Sequence, residues 1–109
     1  MKGEITMNNR KKRLPPTHPG DILRDELEEL GVSLNRLSRD TRIPLSRISM
    51  IVNGKRAVTA ETAMRLALYF GTSAQLWMNL QTAYDLEIAA KKTAAMKREV
   101  IPLSKKRAA

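Results

Sequence analysis

The chain of 109 residues has no cysteine and a single histidine, His18. Without thiols there is neither a disulfide framework nor thiolate chemistry, a composition compatible with a reducing cytoplasm. A lone histidine cannot complete a transition-metal site without further soft ligands. His18 therefore reads as a capping or packing residue, and no metal or cofactor is expected. Long apolar runs are also missing, so the sequence predicts no membrane span, and residues 1–13 hold no apolar core for a secretory signal. No glycine-rich phosphate loop and no spaced carboxylate pair stands out, and an enzyme is not expected. The four aromatics, Tyr69, Phe70, Trp77 and Tyr84, fall in C-terminal apolar stripes rather than among basic residues. That placement offers no stacking platform for RNA or single strands.

What the chain has is positive charge, +9 in all, and its placement matters more than its size. Residues 1–13 carry five basic groups against Glu4, and residues 91–109 carry seven against Glu99. The stretch between them is close to neutral, yet within it residues 33–56 hold six basic groups against Asp40 alone. Residues 14–32 and 57–90 are net acidic. A nearly neutral domain with one basic segment points to a polyanionic partner. The length suits one domain with tails: 1–16, a domain over 17–90, and 91–109.

That basic segment also has a pattern. Leu34, Leu37 and Thr41 recur at helical spacing, as do Ile48, Ile51 and Val52, and each set makes one buried stripe. Pro44 disfavours helical geometry at Ile43 while suiting a helix start, so the chain breaks and restarts there. Asn53-Gly54 closes the second helix, since glycine takes the left-handed conformation just past a helix end. Two short helices and a tight connection read as a helix-turn-helix, whose second helix enters the major groove of double-stranded DNA. Its outward residues, Leu45, Ser46, Arg47, Ser49 and Met50, are the candidate base readers. Arg47 is the best of them, because a guanidinium donates two hydrogen bonds to guanine. Ser33, Asn35, Arg36, Pro44, Asn53, Lys55 and Arg56 are candidate phosphate contacts. The competing reading is a solvated polar face on an ordinary helical bundle.

In chain order, residues 1–13 read as a disordered polar segment whose run Arg10-Lys11-Lys12-Arg13 is either solvated or drawn to phosphates or a minor groove, and Leu14-Pro15-Pro16 reads as an extended linker. A first helix at about 19–30 is expected to bury Ile22, Leu23, Leu27 and Leu30 and to end at Gly31. Its outer face carries Asp21, Asp25, Glu26, Glu28 and Glu29. Asp21 favours the positive helix end, and Asp21, Asp25, Glu28 and Glu29 are candidate contacts for a basic protein partner. A fourth helix starts at Thr59 and buries Ala63, Leu66, Ala67 and Phe70. Residues 72–75 fit a capping box for a fifth, whose stripe is Leu76, Trp77, Leu80, Tyr84 and Ile88. Trp77, Leu80, Tyr84 and Ile88 serve either the core or a homodimer interface. Beyond Ala89 fraying is expected, and residues 91–109 read as a mobile basic tail with Lys105-Lys106-Arg107.

Several of these runs occur together: His18-Pro19-Gly20-Asp21-Ile22-Leu23, Ser33-Leu34-Asn35-Arg36-Leu37, Ser46-Arg47-Ile48-Ser49, Val52-Asn53-Gly54-Lys55-Arg56, and Phe70-Gly71-Thr72-Ser73 followed by residues 77–86. In this order they closely resemble the HigA (VapI-like) antitoxins, within the Xre or phage-repressor-like helix-turn-helix superfamily, over about residues 17–89. The resemblance implies an all-α, five-helix, lambda-repressor-like domain with basic flexible tails, which dimerises through C-terminal helices and binds a palindrome in its own promoter. It also implies neutralisation of a RelE/HigB-like ribonuclease toxin, or alternatively a stand-alone regulator that kept the same domain. Recognition positions carried over from the family fall on Pro44, Leu45, Ser46, Arg47, Ser49 and Met50. Leu45 and Met50 are apolar where superfamily members often place hydrogen-bonding or basic side chains.

Overall fold

The computed structural model describes residues 17–103, and all six elements in that range are α-helices. They are α1 (Pro19–Leu30), α2 (Leu34–Thr41), α3 (Leu45–Val52), α4 (Ala60–Phe70), α5 (Ala74–Ala90) and α6 (Thr93–Glu99). The basic runs at residues 10–13 and 105–107 lie outside the described residues.

Local chemistry sets most helix ends. The side chains of Ser33, Thr59 and Ser73 each accept from the backbone N–H three residues on, meeting one of the donors that a helix start leaves unpaired. Gly31, Gly54 and Gly71 follow α1, α3 and α4 with φ near +70°, the left-handed geometry that costs glycine nothing. After α3, Gly54 donates to the Ile51 carbonyl and Lys55 to that of Met50, the paired bonds of a Schellman ending. The residues predicted to form a capping box act differently: Ser73 caps α5 through Leu76 N, while the Thr72 hydroxyl accepts from Trp77 Nε1 at 3.3 Å.

The core is one cluster: Leu23 and Leu27 from α1, Leu37 from α2, Ile43 from the turn, Ile48, Ile51 and Val52 from α3, Val58 from the next loop, Ala63 and Leu66 from α4, and Trp77 from α5. In α1, α3 and α4 the core residues recur three or four apart, as Leu23 and Leu27, Ile48 and Ile51, and Ala63 and Leu66 do, so these amphipathic faces point at the same centre. Two expected core positions of α1 differ. Ile22 is half-buried and Leu30, in the last turn, is 54% exposed. The α1 stripe leaves the core one turn early because the chain reverses at Gly31.

The sixth helix was not expected. Turn bonds from Lys91 N to Ile88 O and from Lys92 N to Ala89 O carry the chain out of α5 into α6, which occupies ground read from sequence as tail. None of its residues is buried, so burial left no periodic mark on its sequence. Among the described residues no helix is long and apolar enough to cross a membrane.

Candidate nucleic-acid interface

The α2–α3 unit is held rigidly from behind. Arg42 takes φ 61°, the one non-glycine residue among those described with positive φ, and its N–H bonds back to Ser38 O at 2.9 Å. Ser38 Oγ donates to Ile43 O at 2.6 Å, and Thr41 Oγ1 donates to Leu37 O while accepting from Ile43 N. From α4, Arg65 Nη1 donates to the Thr41 carbonyl at 3.0 Å and its guanidinium pairs with Glu61. These bonds satisfy the polar groups of the turn from several directions, so α2 and α3 keep a set angle. Pro44 is the N-cap of α3 rather than part of its first turn, and its carbonyl accepts from both Arg47 N and Ile48 N.

Beneath α3, contact with α1 is backbone to backbone. A Cβ placed on Gly20 would lie 1.8 Å from Ile51 O, so glycine is needed there for the first turn of α1 to seat against the end of α3. His18 caps α1 by accepting from Gly20 N at Nδ1, 2.8 Å away, and its ring meets Tyr84 of α5 edge-on at 4.8 Å. Burial pushes the His18 pKa below its ordinary value, while the carboxylates of Asp21 and Asp85 pull it the other way. The only histidine, expected to cap or to pack, thus does both.

With Ile48, Ile51 and Val52 turned inward, α3 leaves Leu45, Ser46 and Met50 exposed, Leu45 and Met50 at 43% and 41%. Arg47 and Ser49 are half-buried on the shoulders of that face. The five predicted base readers thus spread over the part of α3 not turned to the core, with Ser46 and Met50, four residues apart, along its middle and Leu45 and Arg47 at its edges. The predicted phosphate residues surround it. Ser33 and Asn35 sit at the start of α2, and Pro44, Asn53, Lys55 and Arg56 flank the two ends of α3, all exposed. Arg36 is exposed but pairs with Asp40 at 3.4 Å, a surface contact too weak to hold it from another anion. Asp40 also accepts from Tyr69 OH at 3.1 Å, and burial together with this bond raises the phenol's pKa.

The sequence reading missed Arg24. From α1 its Nη2 donates to Val52 O at 2.7 Å and to Asn53 Oδ1 at 3.0 Å, closing the far end of α3. The available signal was that Arg24 is the one basic residue among five acids in residues 14–32. An open cleft of about 420 Å³ lies beside this contact, lined by Arg24, Ser33, Leu34, Val52 and Asn53 among others.

The predicted interface stripe divides. Trp77 is 3% exposed and belongs to the core, covered by its own chain, so it is no interface residue. Leu80 packs against that core, and Tyr84 is half-buried beside His18. Ile88 is 38% exposed and lines a groove of about 370 Å³ with Tyr84, Ala89 and Met96. The four acids proposed as partner contacts, Asp21, Asp25, Glu28 and Glu29, are exposed on α1.

A helix-turn-helix family profile matches residues 23–77, from within α1 to the start of α5. The chain is 45% identical over 95 residues to virulence-associated protein I of Dichelobacter nodosus, spanning 86% of this chain and 87% of that one. An addiction module antidote protein of the HigA family from Coxiella burnetii superposes with a TM-score of 0.77 at 45% identity, covering 82% of this chain and 99% of the other. The Pseudomonas aeruginosa antitoxin HigA, solved with the higBA promoter, superposes at 0.76 with 43% identity, covering 82% and 99%.

Proposed function

Because the chain belongs to the HigA (VapI-like) family of Xre-type helix-turn-helix proteins, we propose that it is the antitoxin of a toxin–antitoxin pair: a dimer that represses its own promoter and holds a RelE/HigB-like ribonuclease inactive by direct binding. The observation that carries the DNA-binding half is the likeness, over 82% of this chain and 99% of the other, to an antitoxin solved with promoter DNA. The exposed α3 face and its basic surroundings support the same reading. Leu45, Ser46, Arg47, Ser49 and Met50 read base edges, and Ser33, Asn35, Arg36, Pro44, Asn53, Lys55 and Arg56 hold phosphates. In the dimer, each α3 enters one of two successive major grooves about 34 Å apart, which requires a palindromic operator.

Leu80, Tyr84 and Ile88 are the dimer contacts in this reading. The exposed acids Asp21, Asp25, Glu28 and Glu29 face the toxin, matching negative charge to a basic enzyme. Two experiments test the two halves. Gel shift with the chain's own upstream region, against a scrambled duplex of equal length, tests operator binding; equal affinity for both overturns it. Expressing the adjacent small reading frame alone and with this chain tests the antitoxin role. Growth arrest relieved by co-expression, with co-purification, upholds that role. A harmless neighbour leaves a stand-alone regulator.

A further inference from the structure

The far end of α3 lacks something a helix end normally has. Its last turn holds no basic residue of its own, although carbonyls at a C-terminus are unpaired and favour a cation nearby. Arg24, 28 residues before Val52 and on α1, supplies both needs through one nitrogen. Its Nη2 donates to the Val52 carbonyl at 2.7 Å and to the side-chain Oδ1 of Asn53 at 3.0 Å. The second bond decides the orientation of the Asn53 carboxamide. With Oδ1 engaged by the guanidinium, the two hydrogens on Nδ2 point the other way, and Asn53 itself is exposed.

We propose that Arg24 is a positioning residue for DNA recognition, which fixes the end of α3 and turns the Asn53 amide outward as a donor to a backbone phosphate; this rests on the operator-binding reading above. The setting explains why the residue is an arginine. Asp21, Asp25, Glu26, Glu28 and Glu29 make α1 acidic, a surface that repels DNA, and Arg24 is its only cation. Planar N–H groups at fixed angles hold two acceptors in set directions, whereas a lysine ammonium is a rotating point charge. The cleft of about 420 Å³ beside the contact is lined by Arg24, Ser33 and Asn53, and Asn53 is exposed. Arg24 acts through Asn53 and does not itself touch the phosphate.

The test is a double-mutant cycle on binding to the chain's own promoter duplex and to a random duplex, with thermal melting of every variant. R24A and N53A should each lose roughly tenfold on the promoter, the scale of one charge-assisted hydrogen bond. The double variant should lose no more than the worse single one, since both changes remove the same contact. R24K should lose part of the affinity although its charge is intact. The salt dependence of binding should change less for R24A than for K55A. Should R24A fail to fold, R24K and N53A complete the same cycle. Additive losses, with the salt slope falling by about one in R24A, would show Arg24 contacting a phosphate itself and overturn the proposal. Unchanged affinity in folded R24A overturns it too. If the unmutated chain binds promoter and random DNA alike, the operator reading falls and takes this inference with it, an outcome separate from any pattern among the variants.

Discussion

Val58 donates its backbone N–H to Oε1 of Gln81 at 2.7 Å, and both residues are buried. The bond joins the loop that leaves α3 to the middle of α5, across 23 positions of sequence. Gln81 is further oriented by donating from Nε2 to Asp85 Oδ1 at 2.9 Å. Replacing Gln81 with leucine keeps the bulk and leaves the Val58 N–H without a partner away from water. Chemical denaturation should show a loss of about 1–3 kcal/mol. An unchanged midpoint would mean that the loop finds another acceptor.

Gly20 allows α1 to rest directly on the carbonyl of Ile51, where an added Cβ would lie 1.8 Å from that oxygen. The obstacle is backbone, which cannot swing aside as a side-chain tip can. Gly20→Ala should therefore destabilise the fold by about 1–3 kcal/mol or more, despite alanine's better helix propensity. Urea midpoints compare the two chains directly. A more stable variant would show that α1 can shift away from α3 without cost.

His18 makes stability fall in acid. Its folded pKa is lowered from 6.5 by burial, against the pull of Asp21 and Asp85. The unfolded chain thus takes up this proton first as pH drops. The contribution is fully present above about pH 6.5 and declines as pH falls through the folded pKa. Protonation at Nδ1 also removes the acceptor that caps Gly20 N. His18→Asn keeps a capping oxygen that does not titrate, so its melting temperature should depend less on pH between about 5 and 7. Parallel curves for the two proteins would count against this role.

Arg47 and Lys55 should fail differently on DNA. Losing Arg47 should cost about 1–3 kcal/mol at particular base pairs and relax discrimination there. Losing Lys55 should weaken every sequence alike and reduce the salt slope by about one. Affinities for the promoter, for point-substituted operators and for random duplex, each at two salt concentrations, separate the cases. Equal loss on specific and random DNA for both variants would remove Arg47 from the readers.

Much of the site could be read without coordinates because its signals are local. A cap such as Thr59, a glycine such as Gly31 or Gly71, and Pro44 before α3 act on their own backbone neighbourhood, and their helices begin or end where expected. Helical spacing likewise identified Leu37, Thr41, Ile48, Ile51 and Val52 as inward-facing and so left Leu45, Ser46 and Met50 outside. Spacing names a face, but it cannot say what covers that face. Leu30 and Trp77 both lie on apolar stripes, yet Leu30 is 54% exposed and Trp77 is 3% exposed, because only Trp77 has α4 and the Thr72 hydroxyl packed around it. Helix α6 buries nothing, so it carried no period to find. The bonds from Arg24 to Val52 and Asn53, from Val58 to Gln81, and from Tyr69 to Asp40 span 23 to 29 residues. Composition and periodicity determined the first five helices, most of their inward faces and the one basic segment. Tertiary packing alone decided these pairings, since a hydrogen bond between distant residues depends on where whole helices lie and leaves no pattern in the chain between them.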